Sequence, residues 1–145
     1  MKKIKVKIVN KSGYGLPEYK SKESSGCDVR AIINGPIVLE SLDRVTVETG
    51  IAVQPAPNYE AEIRPRSGLA SKHGIVAAFG TGDNDYTGTY KVTLINLSKD
   101  TYVLQPGERI GQMVFVEVAQ AEWEEVDTLE ETERGSNGFG SSGKF

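Results

Sequence analysis

The sequence predicts an all-β domain, and three observations carry that prediction. Apolar residues alternate with polar ones at a period of two in several short runs, turn signals fall between the runs, and helical periodicity is scarce. The chain opens on "MKKIKVKIVN", in which Ile4, Val6 and Ile8 alternate with lysines, and this reads as a first half-buried strand. Two lysines would suit the start of a signal peptide, but no apolar run follows them. The next turn signal is "NGP" at 34–36, followed by the alternating Val45, Val47, Ile51 and Val53 and then by "QPAPN" at 54–58. One short helix is expected over "SGLASKHG" at 67–74, with Ser67 as its cap and Gly74 as its terminator. A further strand holds Tyr90, Val92 and Leu94, and "QPG" at 105–107 marks another turn. "GQMVFVEV" at 111–118 is apolar on both faces, as in a central strand or one covered by a partner chain. Three segments result: a β-rich core over 1–120, an acidic connector at 121–133 ("AEWEEVDTLEETE"), and a glycine-rich arm at 134–145. No internal repeat of the solenoid or propeller kind is present.

Bulk composition narrows the function classes. With 145 residues, 38% of them hydrophobic, the chain has material for one domain and one core. A formal charge of −3 gives no compositional support for binding the nucleic-acid backbone, so any phosphate site must be local. A single cysteine, Cys27, cannot build an intramolecular disulfide, and a single histidine, His73, argues against a zinc cage. No run approaches the length of a membrane helix, so a soluble, cytoplasmic protein with no membrane partner is expected.

Three stretches could carry chemistry. In "GDNDYTG" at 82–88, Asp83 and Asp85 flank Asn84 ahead of Tyr86. On a strand, two such carboxylates share a face and could hold a divalent cation, or one could act as general base toward water; the alternative is an Asx-rich hairpin turn. "RPRSGLA" at 64–70 sets Arg64 and Arg66 ahead of a Ser-Gly step, which is either an anion site or two surface arginines before a capped turn. "PGERIGQMVF" at 106–115 places Gln112 in an apolar strand, where its amide either satisfies neighbouring backbone or faces a ligand. The tail spells part of a P-loop, from Gly138 to Gly143-Lys144, but lacks the following Ser/Thr and helix. No nucleophile-elbow pattern surrounds any serine, and Cys27 reads as a small buried residue.

Taken in order, "SGCDVRA" (25–31), "PRSGLA" (65–70), "GTGDNDYTG" (80–88), "PGERIGQMVF" (106–115) and "RGSNGFGSSG" (134–143) resemble the five motifs of the trimeric deoxyuridine triphosphatases (dUTPases). The resemblance spans nearly the whole chain. It implies a distorted jelly-roll, β-clip-like subunit in a homotrimer with active sites between subunits, closed by a flexible C-terminal arm. It implies hydrolysis of dUTP to dUMP and pyrophosphate with Mg2+ on the triphosphate, limiting uracil in DNA and supplying dUMP for dTMP synthesis. By position, Asp83 matches the carboxylate that activates water, helped by Gln112. Arg66, Ser67 and Gly68 match the phosphate-holding motif. Asp28 matches a carboxylate that supports magnesium-bound water, the metal itself being held mainly by substrate phosphates. Tyr86 matches the ring that packs on deoxyribose and excludes a 2′-hydroxyl. Main-chain groups around Ala78, Gly80 and Gly82 match the reader of uracil. In the arm, Phe139 matches the ring that stacks on the base, and Arg134, Gly140, Ser141 and Ser142 match groups that clamp the phosphates.

The sequence departs from the family pattern at several of these positions. Gly82 stands where a branched aliphatic is usual, Thr87 where arginine is common, and Ser142 where threonine is common. Glycine at position 82 is expected to loosen the chain beside Asp83, and the hairpin "AAFGTG" leaves uracil selectivity open. Two rivals share the scaffold. A deoxycytidine triphosphate deaminase would use a glutamate to activate water where this chain has Asp83, and a catalytically silent binding protein would have no need of Asp83, Gln112, Tyr86, Arg134 and Phe139 together.

Overall fold

The computed structural model describes residues 2–136. It contains ten strands and one helix: β1 (Lys7–Asn10), β2 (Cys27–Arg30), β3 (Ile37–Leu39), β4 (Arg44–Glu48), β5 (Ile51–Gln54), β6 (Tyr59–Arg64), α1 (Ser67–His73), β7 (Ile75–Ala78), β8 (Lys91–Asn96), β9 (Tyr102–Leu104) and β10 (Arg109–Glu117). The strands form four small sheets with orders β1-β5, β2-β10-β6, β3-β9 and β4-β8-β7. All pairings are antiparallel. Val29, Leu39, Ile75, Val92, Leu94, Leu104, Ile110 and Met113 are buried in one shared core.

The first strand is shorter than its alternation predicts. Lys7 pairs with Gln54 and Asn10 with Ile51. Continuing to Val6 would require pairing with Pro55, which has no N–H to donate, so Ile4 and Val6 lie before the strand. The alternation of Val45, Val47, Ile51 and Val53 is divided between β4 and β5 at Gly50, whose φ is 66°. A side chain there would press on the backbone of Lys11 and Ser12, so both geometry and space require glycine.

The turn signals perform as their chemistry dictates. Pro106 and Gly107 occupy the centre of a turn closed by the Glu108 N–H on Gln105 O at 3.2 Å, with Gly107 at φ 75°. Pro57 and Asn58 do the same between Ala56 and Tyr59, with Asn58 at φ 65°. In α1 the N-cap is Arg66, and no side chain caps the helix; Ser67 is the first helical residue instead of the cap. Extended backbone at Arg66, which follows Pro65, moves the boundary one residue earlier than serine chemistry alone predicts. Gly74 terminates the helix in the left-handed conformation, its N–H on Ala70 O at 3.0 Å.

β10 is central, between β2 and β6, as its apolar sequence requires. Val114, Phe115 and Val116 remain only half-buried in a single chain. Beyond Glu117, residues 118–136 contain no helix or strand, and Trp123 and Leu129 are 90% and 86% exposed.

Candidate active site

The residues singled out by sequence fall into two groups. The first is built on β2, β10 and the entry to α1. Asp28 stands opposite Gln112 across β2–β10, and Gln112 stands opposite Arg64 across β10–β6. Directly opposed residues share a face, so these three form one row. The register shifts between Arg109 and Gly111, leaving Ile110 as the extra residue of a bulge. That bulge turns Arg109 toward Asp28. Its Nη1 donates to Asp28 Oδ2 at 3.1 Å, while the Nε of Arg66 lies 3.2 Å from Asp28 Oδ1. Nη1 of Arg66 then donates to the Arg109 carbonyl at 3.1 Å, closing a ring of three residues.

Asp28 is thus the shared counter-ion of two arginines, and its side chain is only 8% exposed. Its Oδ1 faces the Arg66 guanidinium but takes no hydrogen bond of good geometry. Arg109 escaped sequence reasoning because nothing local marks it; the signal is the bulge, which is invisible without the pairing. Ser67 and Gly68 are exposed beside Arg66, and Gln112 is half-buried. Arg64, in the same row, is exposed and bonded to Glu62 on its own strand, its Nε 2.9 Å from Oε2.

The second group lies on the connection between β7 and β8. Asp83 and Asp85 are not on a strand: the Tyr86 N–H donates to Asp83 O at 3.1 Å, making 83–86 a closed turn. Both carboxylates are exposed, and neither takes part in an ion pair among the described residues. Among the described residues no cluster of three or more His, Cys, Asp or Glu could chelate a metal. Asn84, between the two aspartates, donates to the carbonyls of Pro55 and Ala56 at 2.9 Å each and of Tyr59 at 3.3 Å.

Gly82 does not loosen the chain as expected. Its carbonyl accepts the Ala61 N–H at 3.1 Å, and a Cβ there would collide with the Ala61 carbonyl oxygen. Glycine is required because the chain lies directly against β6. Tyr86, 46% exposed, rests edge-on against Tyr90 with centroids 5.5 Å apart, and its hydroxyl donates to Thr89 O at 3.1 Å. Tyr90 in turn stacks on Phe79 at 5.6 Å. Among the described residues the buried Tyr90 hydroxyl has no hydrogen-bond partner, and burial, with Tyr86, Asp83 and Glu60 nearby, raises its pKa. Ala78 closes β7, and both it and Gly80 are exposed.

No hydrogen bond or ion pair joins the two groups among the described residues. Arg134 is exposed. Phe139, Gly140, Ser141 and Ser142 lie outside the described residues. Cys27 is buried in the core, and burial raises its thiol pKa, in keeping with a packing role. No helix is long and apolar enough to cross a membrane among the described residues.

Known proteins resemble this chain over nearly its full length. The dUTPase family pattern matches residues 14–143. A deoxyuridine 5'-triphosphate nucleotidohydrolase of Fusobacterium nucleatum is 49% identical over 146 residues, covering 99% of this chain and 100% of the relative. One of Finegoldia magna is 44% identical over 142 residues, covering 97% of this chain and 99% of the relative. A solved structure of Staphylococcus bacteriophage 80alpha dUTPase with dUPNHPP matches at a TM-score of 0.79 and 27% identity, over 99% of this chain and 100% of that one. A match that begins before Asp28 and ends after Ser142 takes in both groups of residues and the arm, and the chain belongs to the dUTPase family.

Proposed function

We propose that this protein hydrolyses dUTP to dUMP and pyrophosphate, with Asp83 as the general base toward water. The observation that carries this reading is the placement of Asp83: an exposed carboxylate in a closed turn, beside an exposed tyrosine ring, in a chain of this family. The related phage dUTPase with dUPNHPP supports a deoxyuridine triphosphate as the ligand.

In the proposed step a bond forms between water oxygen and phosphorus as the α–β phosphoanhydride bond breaks. The water proton passes to Asp83, and pyrophosphate leaves. Gln112 assists in holding the water. Arg66, with Ser67 and Gly68, holds phosphate oxygens; its guanidinium is already oriented by Asp28 and the Arg109 carbonyl, so little reorganisation accompanies charge development. Tyr86 closes the sugar pocket against a 2′-hydroxyl. Uracil is read by the main chain from Ala78 to Gly82. Among the described residues no backbone hydrogen bond engages 79–81, leaving those donors and acceptors for a base. Phe139, Gly140, Ser141, Ser142 and Arg134 complete the reading as a closing arm.

Asp28 fits the magnesium expected from the resemblance only through water. Its Oδ1 has an unused lone pair, while the two arginines oppose direct ligation. The ion would be carried by the substrate phosphates and would neutralise charge there. We further propose a homotrimer with the site between subunits. This would bring the Asp83 group to the Gln112 group of another copy and cover the exposed Trp123 and Leu129.

Pyrophosphate release from dUTP, dTTP, dCTP and UTP with magnesium tests the reading. Release from dUTP alone is expected, lost in Asp83→Asn with binding of dUPNHPP retained. Full turnover by Asp83→Asn removes Asp83 from the base role, and no release from any nucleotide by the parent protein overturns the assignment.

A further inference from the structure

We infer that Asn84 is a positioning residue for the reaction, setting the Asp83 carboxylate through a cup of three main-chain carbonyls. The inference rests on the base role proposed for Asp83. The turn that carries Asp83 lies in the connection between β7 and β8 and has no strand of its own. On the N-terminal side of Asp83 the chain is fixed at Gly82, where the carbonyl meets the Ala61 N–H and Cα lies tight against the β6 backbone. On the C-terminal side it is fixed by the Asn84 side chain, whose Nδ2 donates to Pro55, Ala56 and Tyr59.

Those three carbonyls belong to the Pro55–Tyr59 strap, a rigid partner. Pro55 and Pro57 fix two of its backbone angles, and the Tyr59 N–H on Ala56 O at 3.2 Å closes it. A cup made only of acceptors selects its occupant. The NH2 end of an amide offers two donors for the three carbonyls, one of them shared. A carboxylate of the same shape would face three oxygens with none, and a hydroxyl offers one. Asp83 and Asp85, on either side, therefore cannot take this place, and the asparagine sets which of the three consecutive side chains turns inward. Asp83 is left exposed, held by anchors on both adjacent residues.

Holding a general base in place acts on the chemical step more than on ground-state binding. A misplacement of about 1 Å costs about 100-fold in rate. Asn84→Ala is expected to lower kcat about 10- to 100-fold. KM for dUTP and the affinity for dUPNHPP should stay within about twofold, with the thermal midpoint close to that of the parent, since the Asn84 amide is already engaged by the Pro55, Ala56 and Tyr59 carbonyls. Asn84→Asp should lose more than alanine, and Asn84→Ser, with one donor, should recover part of the loss. Three results would overturn the inference: unchanged kcat in Asn84→Ala; loss of kcat, analogue affinity and thermal midpoint in parallel; or equal effects of alanine, serine and aspartate. Asp83→Asn measured alongside separates this inference from its foundation. If Asp83→Asn is inactive while Asn84→Ala is fully active, only the role of Asn84 fails; if Asp83→Asn turns over normally, both fail.

Discussion

Replacing Gly82 with alanine is a one-carbon change with a calculable consequence. Its Cβ would collide with the Ala61 carbonyl oxygen, a main-chain atom on a fully buried residue of β6. That strand is paired with β10 along its length, Ala61 opposite Phe115, so β6 cannot yield without breaking the sheet. The connection carrying Asp83 must move instead, by about 1.5 Å before the two atoms reach van der Waals separation. Such a shift strains the Ala61 N–H to Gly82 O bond and leaves a buried donor short of its acceptor. Overpacking and the strained bond together should cost about 2–4 kcal/mol. Asp83 moves with its neighbour, and kcat should fall about 100-fold. Urea unfolding at fixed protein concentration, beside steady-state pyrophosphate release, reads both effects. The aliphatic side chain usual in the family should fare worse than alanine in this chain. Unfolding within about 0.5 kcal/mol of the parent together with unchanged kcat would refute the reasoning, since a surface substitution behaves that way.

Asp28→Asn keeps the side-chain shape but leaves Arg66 and Arg109 facing each other without a counter-ion. With both arginines partly exposed, a loss of about 1–2 kcal/mol in urea unfolding and a clear fall in turnover are expected. Tyr90→Phe removes a buried hydroxyl that has no partner among the described residues, and unfolding should be neutral or more stable by about 1 kcal/mol; a loss above that size would reveal a partner for the hydroxyl. Because burial raises the Cys27 thiol pKa, the folded state resists losing that proton. Stability from this group is unaffected below the ordinary thiol pKa and falls as pH rises past it, where only the unfolded chain ionises. A thiol reagent at pH 8 should accordingly label Cys27 only on unfolding, and prompt labelling of native protein would contradict its burial.

How much was legible in advance depended on whether a feature is local. Turns at 56–59 and 105–108 follow from proline, glycine and asparagine chemistry within four residues. The alternation of Tyr90, Val92 and Leu94 reads directly as the buried face of β8 and of the residue just before it. Where a partner strand decides the outcome, the pattern misleads. Ile4 and Val6 alternate as a strand should, yet the segment opposite them begins with Pro55. Ser67 has the chemistry of a cap, but the extended residue after Pro65 takes that place. β2 and β6 carry residues of the site and show no run long enough to identify them alone.

The site itself was legible as residue types and illegible as geometry, for one physical reason. Asp28, Arg66, Asp83 and Gln112 belong to short motifs whose order along the chain is specific. What makes them work together is non-local: the bulge that brings Arg109 to Asp28, and the carbonyl cup that receives Asn84. Position 82 illustrates the difference best. Judged by conformational preference alone, glycine there weakens the chain beside a catalytic group, since it fixes fewer backbone angles than any other residue. Judged by packing, the absence of a Cβ permits direct contact with β6, a hydrogen bond to Ala61 and room for the ring of Tyr90, whose Cε1 lies 3.1 Å from where that carbon would stand. The two effects oppose each other in sign. The contact prevails because it constrains the backbone from outside, replacing the restriction that a side chain would have imposed from within.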